Sequence, residues 1–323
     1  MKWSRELRIA HRSLSTMIRA ASAVARAQVP LTLTLRTVAG SAGAPAGEAV
    51  EITDFGSNPG RLRMFVHAPR CAPPPNAPLV VLLHGCGQAA VSFARAGDWI
   101  TLADQLHVPL ILPEQSGDNN HGRCFNWFRP THVRRGLGEG LSVRQMVAEA
   151  SRRFGSDPSR VFVAGLSAGG AMTAALLAAY PDVFAAGAVV AGLPVGAASS
   201  ASEALARMAE AAPDRSPAAW ADQVRRAAPA GYAGPWPRVS IWVGEDDRVV
   251  DPANGGLLAG QWSTVHDLGP INPATVEFPG ARHATWGQTH RPAVELWTLP
   301  GVSHVWPDGA SRHIVRFWGL RND

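Results

Sequence analysis

The residues whose types and spacing suggest chemistry begin with Ser167, at the centre of Gly165-Leu166-Ser167-Ala168-Gly169. A G-x-S-x-G string acts as a nucleophile elbow when a strand runs into it and a helix leaves it, because the sharp turn lifts the serine hydroxyl above the sheet. Both flanks fit: Val161–Ala164 reads as a strand, and the Ala-rich stretch from Ala168 reads as a helix, whose N-terminus favours developing negative charge. Such a serine attacks a carbonyl, and the reaction needs donors for the oxyanion, a base and a carboxylate that orients the base. Leu82-Leu83-His84-Gly85-Cys86-Gly87 follows an earlier apolar run and offers the backbone N–H of Cys86 as one donor. The N–H of Ala168, directly after the serine, is the other. His84 reads as the residue that holds this turn.

Around such an elbow the chain order is Ser, acid, His. The histidines that follow are His266, His283, His290, His304 and His313. His304 is selected because it lies in a loop directly after the apolar strand Val294–Leu299, from where it can reach an elbow. His313 falls inside a helical stretch, and His283 and His290 flank an irregular Pro/Gly-rich insert. For the acid, the strand Val239–Val243 runs into Glu245, Asp246, Asp247 and Asp251. The spacing Gly-x-x-Asp-x-x-Val selects Asp247, with the apolar Val250 pinning the turn; Asp246 is the alternative.

These residues require a framework that brings strand ends together. Val50–Asp54 and Leu62–His67 read as an antiparallel pair, Leu79–Leu83 as a strand buried on both faces, and Val108–Leu112, Ala185–Ala191 and Thr275–Phe278 as further strands. Phe93–Leu106, Leu141–Phe154, Ala168–Tyr180, Ser199–Ala211, Pro217–Ala227 and Ser311–Trp318 read as helices. Strands alternating with helices predict an α/β fold with a mostly parallel central sheet covered on both faces.

The chain has 323 residues, 46% apolar and 17% charged, enough for one large domain. Lys and Arg number 30 against 25 Asp and Glu, but the excess lies in residues 1–36, which carry Lys2, six arginines and the single acid Glu6. The rest of the chain is close to neutral, which removes the main support for a nucleic-acid partner. Residues 1–47 read as a basic, disordered tail and linker, and 48–323 as the catalytic domain. The tail's apolar stretches are broken by Arg12, Arg19 and Arg26, so it lacks a clean secretory h-region. No apolar run is long enough to span a membrane. No CxxC, HExxH or P-loop string occurs, so no metal and no cofactor are expected.

Taken together, LLHGCGQ at 82–88, PEQ at 113–115, CFNWF at 124–128, the block 160–194 around Ser167, GEDDRVV at 244–250 and VELWTLPGVSHVWP at 294–307 resemble the esterase family of polyhydroxybutyrate depolymerases, which are α/β-hydrolases. The likeness covers about residues 50 to 320. It implies a Ser–Asp–His triad at Ser167, Asp247 and His304, with oxyanion donors at Cys86 and Ala168. It implies a disulfide between Cys86 and Cys124 that holds the oxyanion loop, leaving Cys71 unpaired. Gly87 departs from the Thr or Ser that the family pattern leads one to expect, and the segment 269–292 is longer than needed. The implied substrate is an uncharged ester, poly- or oligo(3-hydroxybutyrate), for which Asn126, Trp127 and Trp306 are the expected cleft residues, with Trp127, Trp286 and Trp306 exposed. Feruloyl or acetyl esters of polysaccharides are the alternative. The resemblance also implies an extracellular location. The hydrolase pattern runs to Trp318 without an adsorbing module, so soluble oligomers are expected to be preferred over crystalline polymer.

Overall fold

A computed structural model describes residues 47–212, 214–269 and 273–321. The expected tail and linker, apart from Gly47, lie outside the described residues. In chain order the strands are β1 (Ala49–Ile52), β2 (Arg63–His67), β3 (Leu79–Leu83), β4 (Leu110–Glu114), β5 (Val161–Leu166), β6 (Ala186–Val190), β7 (Arg238–Gly244), β8 (Ala274–Phe278), β9 (Ala281–Gln288) and β10 (Arg291–Leu299). The helices are α1 (Ala90–Ala96), α2 (Trp99–Leu106), α3 (Pro130–Val133), α4 (Gly138–Phe154), α5 (Ala168–Ala179), α6 (Ala201–Ala209), α7 (Pro217–Ala227), α8 (Ala253–Val265) and α9 (Ala310–Phe317).

All ten strands form one sheet in the order β1-β2-β4-β3-β5-β6-β7-β10-β9-β8. The stretch from β4 through β10 is parallel, flanked by the antiparallel β1–β2 pair at one end and β9–β8 at the other. The central strands β3, β5 and β6 are buried at every position, as unbroken apolar runs require when helices cover both faces. One face packs on α4, α5, α7 and α8 through Val143, Met146, Leu176, Trp220, Leu258 and Trp262. The other packs on α1, α2 and α9 through Phe93, Trp99, Ile314 and Trp318. The fold is that of an α/β-hydrolase.

Several elements differ from the sequence reading, the short helix α3 among them. The single helix expected over Phe93–Leu106 is two helices, because Asp98 adopts left-handed φ of 61° and breaks the run after Gly97. Helix α8 was not expected: its sequence ANGGLLAGQWSTV carries three glycines, each unfavourable in a helix by about 1 kcal/mol relative to Ala. Burial of Leu258, Ala259, Trp262 and Val265 against the sheet overrides that propensity. Strand β9 lies in what reads as an irregular insert, so the extra length of 269–292 is an antiparallel extension of the sheet.

Candidate active site

The parallel strands β5, β6, β7 and β10 are neighbours, so their carboxyl ends open on one edge. Backbone bonds bind that edge together: Ser167 N–H donates to Val190 O at 2.8 Å, Ala191 N–H to Trp242 O at 2.8 Å, and Glu245 N–H to Leu299 O at 3.0 Å. Ser167 stands on it at φ 58° and ψ −120°, a conformation rare for a residue with a side chain, and strain of this kind costs about 1–3 kcal/mol. It is 5% exposed and precedes α5, whose first residue, Ala168, has no intrahelical acceptor for its N–H. The elbow packs directly on the turn after β3: a Cβ at Gly169 would lie 2.2 Å from Leu83 O and 2.6 Å from His84 O. Only glycine permits this approach.

In that turn Gln88 N–H donates to Gly85 O at 3.2 Å, with Cys86 and Gly87 at its centre. Gly87 has φ of +74°, which gives its presence, in place of the Thr or Ser expected, a backbone reason. His84 is fully buried, its Nδ1–H donates to Gly85 O at 2.8 Å, and its Nε2 accepts from Gln115 N–H at 3.1 Å. Burial lowers its pKa to about 4, so it is neutral and holds the turn. Cys86 is joined to Cys124 by a disulfide, and Cys71 is a free, exposed thiol.

Of the four competing carboxylates, Asp247 is the one that meets a histidine: its Oδ2 accepts from His304 Nδ1–H at 2.7 Å. Its Oδ1 accepts from Val249 N–H at 2.8 Å and Val250 N–H at 2.9 Å, and buried Val250 pins the turn. Asp246 is exposed and its backbone N–H bonds to Val302 O, which ties this loop to the loop that carries His304. Glu245 faces Arg282 at 3.4 Å, and Asp251 accepts from Ala253 and Ala211 N–H groups. The other histidines are placed differently. His266 bonds to Pro237 O, His283 to Glu295 and His313 packs on Trp297, while His290 is exposed in the β9–β10 turn. His283 therefore sits inside a strand rather than beside a loop.

The expected cleft residues separate. Asn126 is fully buried: its N–H and Nδ2 donate to Glu139 at 2.8 and 2.6 Å, and its Oδ1 accepts from Asn120. This corrects the reading of Asn126 as a substrate contact, since its amide is spent on bracing the loop. Glu139 and Gln115, which sequence reasoning missed, form the same network, with Gln115 Nε2 donating to Glu139 at 2.7 Å. Trp127 is 8% exposed and not a free surface ring, but it lines a cavity beside α5. Trp306 packs edge-on against Phe93 and Trp99, and its N–H donates to Ser311 Oγ at 3.0 Å. Trp286 is half-buried. Among the described residues no three His, Cys, Asp or Glu side chains gather to hold a metal ion, and no helix is long and apolar enough to cross a membrane.

A strained serine, a histidine held through Nδ1 by a buried carboxylate, and backbone N–H groups at a helix start and a facing turn are the parts that acyl transfer uses. The family model described as "Esterase PHB depolymerase" matches residues 62–285. Poly(3-hydroxyalkanoate) depolymerase C of Paucimonas lemoignei is 41% identical over 258 residues, which cover 80% of this chain and 61% of that protein. Feruloyl esterase B of Talaromyces stipitatus is 32% identical over 280 residues, covering 84% of this chain and 76% of that one. An acetyl xylan esterase from Aspergillus awamori superposes with a TM-score of 0.76 at 25% identity, covering 85% of this chain and 100% of that one. By sequence match and by fold, the chain belongs to the PHB depolymerase family of esterases.

Proposed function

We propose that this protein is a serine esterase that hydrolyses poly- or oligo(3-hydroxybutyrate), with Ser167 as nucleophile, His304 as base and Asp247 as the orienting acid. His304 Nε2 takes the Ser167 proton as Oγ attacks the ester carbonyl. Asp247 fixes the imidazole tautomer and stabilises its positive charge. The N–H groups of Cys86 and Ala168 receive the tetrahedral oxyanion. His304 then protonates the alcohol leaving group, and water, activated by the same histidine, releases the acid from the acyl-enzyme. The observation that carries the reading is the 2.7 Å Asp247–His304 hydrogen bond on the sheet edge where Ser167 is held in its strained turn. The substrate class is supported by the 41% identity to a protein named as a poly(3-hydroxyalkanoate) depolymerase. The relatives named as feruloyl and acetylxylan esterases favour a second reading, esters on plant polysaccharide. The Cys86–Cys124 disulfide supports action outside the cell, because such bonds persist in oxidising compartments.

The test is hydrolysis of 3-hydroxybutyrate trimer, methyl ferulate and acetylated xylan by the purified protein, with fluorophosphonate labelling followed by peptide mapping. Faster turnover of the trimer and a label on Ser167 are expected. A label elsewhere overturns the mechanism, and faster release of ferulate or acetate overturns the substrate.

A further inference from the structure

A cavity of about 300 Å³ opens beside α5, with Trp127, Ala171, Ala175, Pro194, Val195 and Arg215 among its lining residues. Its position follows from the helix. Ala171 and Ala175 come four and eight residues after Ser167 and share its face of α5, and Ala171 N–H bonds to Ser167 O at 2.8 Å. At 1.5 Å per residue the cavity floor runs about 12 Å from the serine, with both methyls tilted back toward it. The walls are also loops of the sheet edge. Trp127 belongs to the loop that the disulfide ties to the oxyanion turn, and Pro194 and Val195 follow β6, the neighbour of β5.

The lining is mostly apolar, with Ser199, Gln223 and Arg215 as its polar side chains. Arg215 is half-buried, its Nη1–H donating to Gly196 O at 2.9 Å and its guanidinium lying 4.5 Å above the Trp220 ring. Both of these partners are neutral and leave most of its five N–H donors for another acceptor, while its charge also acts on the exposed Glu203. A mostly apolar cavity whose floor helix begins at Ser167 and whose lining holds a guanidinium suits a flexible, uncharged ester chain that ends in a carboxylate. A 3-hydroxybutyrate oligomer is such a chain: the part beyond each ester oxygen, which leaves as the alcohol, carries the free carboxylate.

Resting on the substrate reading above, we infer that this cavity binds the alcohol-side remainder of an oligoester and that Arg215 recognises its terminal carboxylate. Arg215 is then a specificity-determining residue, and cleavage is directed to the carboxyl end of soluble chains.

The test compares 3-hydroxybutyrate trimer as the free acid with the same trimer as its methyl ester. The wild type is expected to favour the acid in kcat/KM by about tenfold, mainly through KM, which corresponds to one charge-assisted hydrogen-bond pair. Arg215→Gln should lower that acid-to-ester ratio about tenfold, and Arg215→Lys should restore part of it. Because Arg215 also bonds to Gly196, a second variant leaves it untouched: Ala175→Leu narrows the cavity and should lower the ratio of trimer to p-nitrophenyl acetate hydrolysis about tenfold. Equal rates on acid and methyl ester in the wild type, or an unchanged ratio in Arg215→Gln, overturn the inference alone. Hydrolysis of p-nitrophenyl acetate with no action on either trimer overturns the substrate reading on which it rests.

Discussion

Among the histidine–carboxylate pairs at this sheet, two invite comparison, Asp247–His304 at 2.7 Å and Glu295–His283 at 2.8 Å. Chemically they are alike. Asp247 and His304 lie in loops beyond the ends of β7 and β10, and the pair engages Nδ1, leaving Nε2 for the proposed proton transfer. Glu295 and His283 sit within β10 and β9. There the pair engages Nε2, and the imidazole is stacked on Trp297 with ring centroids 3.9 Å apart. A serine is present there too, but Ser240 Oγ–H donates to Glu295 at 2.6 Å, which puts the acid between the hydroxyl and the imidazole. Proton relay needs the histidine in the middle. A histidine–carboxylate bond thus acquires meaning from which nitrogen it engages and from whether it stands at a strand end or inside the pleat.

Replacing each histidine tests this contrast at its widest. His304→Ala should lower kcat on short esters on the order of 10⁵–10⁶-fold, whereas His283→Ala should leave kcat within about threefold. Comparable losses from both would show that the mid-strand pair serves turnover. The acids come next. Asp247→Asn should cost on the order of 10⁴ in kcat, by holding the wrong tautomer of His304. Glu295→Gln should instead cost stability, about 2–4 kcal/mol from a buried network that binds Ser240 and His283, read as a lower urea midpoint with kcat retained. An unchanged midpoint would remove Glu295 from the structural ledger.

The smallest effect concerns histidines that no carboxylate rescues from burial. His84, with pKa near 4, and His266 are both lowered by desolvation; His67 is lowered by the same cause despite Asp104 at 3.1 Å. Each is neutral in the fold, so the unfolded chain binds more protons. Their contribution is complete above about pH 6.5, falls as pH drops, and for His84 is lost by about pH 4. His84 alone carries on the order of 3 kcal/mol. Urea midpoints at pH 7 and 4.5 should differ in the wild type, and His84→Gln should flatten that slope. An unaltered slope would show that His84 does not set it.

The proposed nucleophile, acid and base were legible as candidates because each lies on or beside one strand with a local signature. Val161–Leu166 runs into Ser167, β7 into the Gly-x-x-Asp-x-x-Val turn, and β10 into the His304 loop. Legibility failed where meaning depends on distant segments. Asn126 reads as a cleft residue because CFNWF is aromatic and local, yet its partner Glu139 is 13 residues away and on a helix. Arg215 lies in a polar connection with no pattern around it, and only folding carries it to the cavity beside α5. Helix α8 and strand β9 were obscured by glycines and by half-burial, where packing decides the element rather than propensity.

The disulfide has a consequence in the chain before it folds. Cys86 and Cys124 are 38 positions apart, and the ring they close contains α1, α2 and β4. On the chain-entropy account, closing a ring of that size removes disorder from the unfolded ensemble worth about 4 kcal/mol. The bond therefore disfavours unfolding without adding a contact to the native state, and it does so at the two loops that hold the proposed oxyanion turn and Trp127. Reduction would widen the range of conformations open to the denatured chain. Its effect would appear first as a lower threshold for unfolding, before any change in the shape of the folded cleft.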